Sequence, residues 1–172
     1  FETNLMGTVN ILEAARSVPS VKVILNITSD KCYKNLESDH GYKETYPMGG
    51  KDPYSASKGC SELITASYYN SFFNSGCSCR IASVRAGNVI GGGDWAENRI
   101  VPDFFRSIQN KKDLIIRNSN SVRPWQHVLE PLGGYLLLAS KLFLEGNKFS
   151  GGWNFGPTDT STYKVSELIN SI

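Results

Sequence analysis

Tyr54 and Lys58 stand four residues apart in Pro53-Tyr54-Ser55-Ala56-Ser57-Lys58, a spacing that suits one chemical task. Pro53 sets the backbone for a first helical turn, and positions i and i+4 of a helix share a face. A tyrosine hydroxyl beside a fixed ammonium gives up its proton more readily, because positive charge favours phenolate. A helix N-terminus favours the anion further. The pair then serves as a general base toward a sugar or alcohol hydroxyl. The same spacing also suits an amphipathic helix with an aromatic inside and a lysine outside, so the surroundings must decide.

Three polar clusters follow apolar runs: Thr28-Ser29-Asp30-Lys31, Arg85-Ala86-Gly87-Asn88 and Asn154-Phe155-Gly156-Pro157. In an open parallel sheet, ligands collect beyond the carboxyl ends of the strands. The first cluster lies one connection before Tyr54 and Lys58, which suits a shared cleft. Taken singly, each cluster also fits an ordinary turn. Arg123, in a polar stretch before an aromatic, suits a diphosphate, because the guanidinium fork matches phosphate oxygens; a surface salt bridge is the alternative. Trp125 suits packing better than base stacking, and His127 suits a structural role. Gly91-Gly92-Gly93 lacks the following Lys-Ser/Thr of a phosphate loop and does not fit GxGxxG, so it is expected to act as a hinge.

The elements that must position these residues alternate. Residues 1–16 carry Leu5, Val9, Leu12 and Ala15 at helical spacing. Residues 21–27 form an apolar, β-branched run broken only by Asn26, as suits a parallel strand covered on both faces. Residues 35–52 form a loop rich in glycine, and a helix runs from Tyr54 through Leu63, Ile64 and Tyr68 to about Phe73. A strand is expected over 79–84, a helix over 102–109, a short strand over 114–116 and a loop over 118–126. An apolar helix follows over 131–145, then a strand over 153–155 and a helix over 163–172. Strands alternating with helices predict an α/β fold with a parallel sheet.

Composition narrows the class. With 40% hydrophobic and 20% charged residues and a net charge of +2, the chain suits a globular domain and argues against a nucleic-acid or membrane-surface partner. No apolar run approaches the ~20 residues of a membrane-spanning helix. Cys32, Cys60, Cys77 and Cys79 lack metal-ligand spacing and are expected to be free thiols, with no metal.

Ser29 beyond a strand, followed by Tyr54 and Lys58 at this distance, resembles the extended short-chain dehydrogenase/reductase family. Asn4 in the preceding helix matches that family's structural asparagine, although an asparagine near a helix start is also a common cap. Longer strings, TSDKCY (28–33), GGKDPY (49–54), RAGNVIGGGDW (85–95) and RPWQHV (123–128), resemble the CDP-glucose branch of the nucleotide-sugar 4,6-dehydratases. The resemblance implies a Rossmann-type doubly wound parallel sheet, of which this chain is the second half, with part of a smaller substrate-binding region. Nucleotide-sugar-binding segments interleave at about 87–135 and 156–172. It implies NAD as cofactor, with Asn4, Tyr54 and Lys58 near it. Ser29 then holds the substrate hydroxyl, Tyr54 is the base, Asp30 protonates the departing 6-hydroxyl, Arg123 binds the nucleotide diphosphate, and Asn88 contacts the same region of the substrate.

Lys31 departs from the Asp-Glu pair of other dehydratases. It fits a base at carbon 5 only if desolvation or a neighbouring cation such as Lys58 holds it neutral; otherwise it is a solvated loop charge. A nucleotide-sugar epimerase or reductase is the rival enzyme, which Asp30 argues against. A non-catalytic binding domain of the same fold is the other rival, which Tyr54 and Lys58 argue against. The resemblance further implies a cytoplasmic homo-oligomer at full length, feeding dideoxysugar synthesis for O-antigen lipopolysaccharide. The glycine-rich dinucleotide fingerprint is not found in the 172 residues. The chain is therefore expected to be a fragment without its N-terminal cofactor-binding half and its C-terminal end, inactive by itself.

Overall fold

The computed structural model describes residues 1–38, 40–157 and 162–172; parts of the expected 35–52 loop and 156–172 segment therefore lie outside the described residues. In chain order the elements are α1 (Gly7–Arg16), β1 (Val23–Ile27), α2 (Pro53–Tyr68), β2 (Arg80–Ala86), β3 (Asn88–Ile90) and α3 (Ile100–Gln109). They continue as β4 (Val122–His127), α4 (Leu129–Glu145), β5 (Gly151–Phe155), β6 (Thr162–Lys164) and α5 (Val165–Ser171). A wider π-type turn, Glu2–Met6, leads into α1, and a second, Tyr69–Phe73, extends α2. Two compact units result: Phe1–Ala86 with Leu132–Phe155, and Gly87–Pro131 with Gly156–Ile172.

The first unit is built on a parallel sheet in the order β1-β2-β5. Val23 to Ile27 pair in register with Arg80 to Val84, and Ala82 to Ala86 with Gly151 to Phe155. Strand side chains alternate between faces, and here each face has its own cover. Toward α4, Ala82 and Val84 pack with Tyr135, Leu138 and Leu142, joined by Val23 and Leu25. Gly134 lets α4 approach closely, since a Cβ there would run into the Phe155 ring. On the other face, Ile81 packs with Leu12, Phe73 and Cys79, and Ile24 and Ile64 lie against them. Helices on both faces of a parallel sheet make the expected Rossmann-like α/β architecture. No helix of the described residues is long and apolar enough to cross a membrane.

The second unit holds a smaller sheet in the order β3-β4-β6, parallel between β3 and β4 and antiparallel between β4 and β6. Here the structure corrects the sequence. Residues 114–116 form no strand, whereas Val122–His127, most of it within the expected 118–126 loop, is one. Its polar residues and Pro124 hide the period, and its hydrogen-bonding partners lie far away in the chain. The expected 163–172 helix opens instead with β6 and starts at Val165, where Glu167 accepts from the Lys164 amide. In the glycine run, a Cβ on Gly91 would sit 2.6 Å from the Val128 side chain, and Gly93 takes φ +81°.

Candidate functional site

The start of α2 is set by a cap and a proline together. Asp52 accepts hydrogen bonds from the Ser55 amide at 3.0 Å and the Ser55 hydroxyl at 2.6 Å, and Pro53 occupies the first turn. Those bonds hold the Asp52 carboxyl below the usual carboxylate range. Tyr54, in the same first turn, is 53% exposed. Lys58 is half-buried and lines a cleft of about 310 Å³ with Asn4, Thr8, Leu12, Asn26 and Ser61. Its ammonium has no protein partner among the described residues.

Of the apolar residues that mark helix α2 in the sequence, Ile64 and Tyr68 are partly buried against the core, but Leu63 is not. Leu63 is 60% exposed, while Ser55, Ser57, Gly59, Ser61, Glu62 and Thr65 are buried. These small and polar residues meet matching groups. Asn4 donates to the Ser57 hydroxyl at 3.0 Å, and Ser57 donates to the Tyr54 carbonyl at 2.7 Å. Thr8 and Ser61 share a hydrogen bond of 2.8 Å, and Asn26 donates to Ser61 at 3.0 Å and Thr65 at 2.7 Å. Asn4 is thus not a helix cap; it is tied to the turn of α2 that carries Tyr54 and Lys58. Asn26, the one break in an apolar strand, is the group that satisfies this face.

Beyond β1, a single helical turn, Asp30–Cys32, carries the next candidates. The Ser29 hydroxyl accepts from the Lys31 amide at 3.2 Å and donates to Asp30 Oδ1 at 3.0 Å. Lys31 Nζ lies 3.3 Å from Asp30 Oδ2, and the two side chains are 43% and 36% exposed. The charge that Lys31 meets at hydrogen-bond distance is the Asp30 carboxylate. The turn is seated on α2 through Gly59, where a Cβ would stand 3.1 Å from the Gly49 carbonyl and 3.2 Å from the Cys32 carbonyl. Ser29, Asp30, Lys31, Tyr54, Lys58 and Asn4 all fall in the first unit.

Behind the turn lies a buried polar network that sequence reasoning missed. Glu62 accepts from Arg85 Nε at 2.9 Å and Nη2 at 2.7 Å, from Ser83 at 2.6 Å, and from the Thr28 hydroxyl. Arg85 Nη1 also donates to the Tyr33 hydroxyl at 2.6 Å, which donates to Asn154 Oδ1 at 2.7 Å. Burial works to raise the pKa of Glu62, but the bonds from Arg85, Ser83 and Thr28 outweigh it and hold it below the ordinary value. Burial works to lower Arg85, and Glu62 reverses that, so the guanidinium keeps its charge. The Cys32 thiol is pushed up to about 12, by burial first and then by the Glu62 charge. Arg85, placed by sequence in a ligand-facing cluster, is instead 6% exposed and internally paired. A signal was present: Glu62 continues the i+4 series from Tyr54 and Lys58.

Asn88 and Arg123 fall in the second unit. Arg123 lies on β4 and not in a loop. Asn88 opposes Trp125, and Arg123 opposes Tyr163, so by the pleat Asn88, Arg123 and Trp125 share one side of the small sheet. Arg123 is exposed, and no ion pair holds it among the described residues. The Trp125 indole N–H is buried and meets no partner among the described residues. His127 accepts from the Leu129 amide at 3.3 Å. All four cysteines are free thiols.

A sequence model described as the NAD dependent epimerase/dehydratase family matches residues 1–148. The chain is 54% identical, over its whole length, to CDP-glucose 4,6-dehydratase of Salmonella typhimurium, of which it covers 49%. It spans about half the length of the curated relatives it matches. A Streptomyces venezuelae dTDP-glucose 4,6-dehydratase crystallised with NAD has a TM-score of 0.80 at 21% identity, with 99% of this chain and 48% of that one covered. UDP-glucose 4-epimerase of Thermus thermophilus, also with NAD, has a TM-score of 0.80 at 24% identity, with 99% and 53% covered.

Proposed function

The chain belongs to the NAD dependent epimerase/dehydratase family, and from that premise we propose that the protein carrying it converts CDP-glucose to CDP-4-keto-6-deoxyglucose. The observation that carries this reading is the 54% identity, over the whole chain, to the Salmonella dehydratase. The redox part, hydride away from carbon 4 and back to carbon 6, is what bound NAD supplies. Tyr54, Lys58 and Asn4 fit it: the tyrosine is exposed, and the unpartnered ammonium lines a cleft with Asn4.

In this mechanism Ser29 holds the sugar 4-hydroxyl and Tyr54 takes its proton, with Lys58 favouring the phenolate. The ketone acidifies the hydrogen at carbon 5. Lys31 takes that proton and Asp30 gives one to the departing 6-hydroxyl, so that water leaves across carbons 5 and 6. Both roles need the proton on Asp30 and a free amine on Lys31. Arg123 binds the diphosphate in the second unit, and Asn88 contacts the same region of the substrate. The dinucleotide fingerprint is not within these residues, so activity belongs to a protein of the relatives' length, acting as a cytoplasmic homo-oligomer in dideoxysugar synthesis.

The epimerase reading remains the rival, because an epimerase and a dehydratase have the same TM-score of 0.80 to this chain. Product analysis separates them. The intact protein with CDP-glucose is expected to release a sugar nucleotide lighter by one water. Asp30→Asn is expected to build up reduced cofactor and a 4-keto sugar that keeps its 6-hydroxyl. An isomer of unchanged mass from the wild-type protein would overturn the dehydratase reading.

A further inference from the structure

The Glu62–Arg85 pair takes no part in these proton transfers, yet it grips both ends of the turn that carries Ser29, Asp30 and Lys31. Thr28, directly before the turn, donates its hydroxyl to Glu62, and its amide donates to the Val84 carbonyl at 2.9 Å. Tyr33, directly after it, accepts from Arg85 at 2.6 Å. Glu62 itself stands four residues beyond Lys58 and eight beyond Tyr54 on α2. One bidentate contact therefore joins the helix bearing Tyr54 and Lys58 to both flanks of the turn.

Packing alone gives no reason for the charges. Taking two ions out of water costs several kcal/mol, and apolar side chains of similar volume are often as stable or more so. A forked guanidinium–carboxylate contact fixes both distance and angle, which an apolar contact does not.

We propose that Glu62 and Arg85 are positioning residues for the dehydration, holding the Ser29–Asp30–Lys31 turn at a set distance from Tyr54 and Lys58, with Thr28 and Tyr33 as the two arms. This rests on the reaction proposed above. The two residues touch no reacting atom; they act through the turn and the helix. Their loss is therefore read in kcat and not in affinity.

The test uses the intact protein, with Thr28→Val, Tyr33→Phe and the double variant Glu62→Leu/Arg85→Met. Each single variant removes one hydroxyl, and the double removes both charges together, so none leaves a lone buried ion. Rates are counted per CDP-glucose-binding site from titration, which removes the effect of unfolded protein. We expect kcat to fall on the order of 10-fold for either arm and ~10²-fold for the double, the scale of a misplacement of about 1 Å. KM for CDP-glucose should stay within about 2-fold, as for interactions absent from ground-state binding. A double variant with wild-type kcat, or losses confined to KM, overturns the proposal. If the double fails to fold, Thr28→Val and Tyr33→Phe decide it, and unchanged kcat in both overturns it. A wild-type protein that turns over no CDP-glucose overturns the reaction and this role together; wild-type turnover with unaffected variants overturns this role alone.

Discussion

The two faces of the β1-β2-β5 sheet do different work with the same strands. Toward α4, residues 23, 25, 82 and 84 are all apolar and meet Tyr135, Leu138 and Leu142. Toward α2, the same strands grade from apolar to charged as they approach their carboxyl ends: Ile24 and Ile81, then Asn26 and Ser83, then Thr28 and Arg85. The apolar face is non-directional and supplies stability roughly in proportion to buried area. The graded face gains less net stability per contact but fixes directions, and its polar end lies under the turn that carries Ser29. One sheet thus separates holding the fold together from aiming the candidate site.

That division is tested most severely by Arg85→Ala. It leaves Glu62 buried without its counter-charge, and should cost roughly 3–5 kcal/mol in urea unfolding. A smaller loss would mean that water reaches Glu62. The charge also makes this face pH-sensitive. The folded-state pKa of Glu62 is depressed below its unfolded value, about 4.3 for a glutamate. Its stabilisation is therefore complete above that value and is lost as pH falls through the folded-state pKa. Glu62→Gln should flatten the acid limb of stability against pH.

On the apolar face, Leu142→Ala should cost about 2–5 kcal/mol through lost transfer and a cavity. Its acid limb should match wild type in shape. A changed slope in this variant would show that the two faces are coupled. Asn26→Ala, which removes one hydrogen bond each from Ser61 and Thr65 while their bonds to Thr8 and the Ser61 carbonyl remain, should cost about 1–2 kcal/mol; no loss in a melting curve would assign Asn26 a passive place. The mildest test is chemical. With its thiol at about 12 and fully buried, Cys32 should resist alkylation at pH 8 in the folded protein and react after unfolding, read by peptide mass.

Local chemistry was legible without coordinates. The β-branched run before Thr28 marked β1, and Pro53 with the i, i+4 spacing of Tyr54 and Lys58 marked the start of α2, because these signals depend on neighbours within a turn or a pleat. The same signals misled where partners are distant. Leu63 looks like the inward face of α2, but Glu62 is inward, since its partner Arg85 lies 23 residues on and brings the charge it needs. Residues 122–127 look like loop, because Pro124 and three polar side chains hide a strand that exists through pairing with β3 and β6.

The sequence by itself determined the alternation of strands and helices and the residue types available for chemistry. Only the tertiary structure decided which polar groups face each other: Thr28 with Glu62, Asn4 with Ser57, and Tyr33 with Asn154 across 121 residues. The reason is physical. Backbone periodicity is a property of a residue and its near neighbours, whereas a buried polar group is tolerated only where the folded chain delivers a partner.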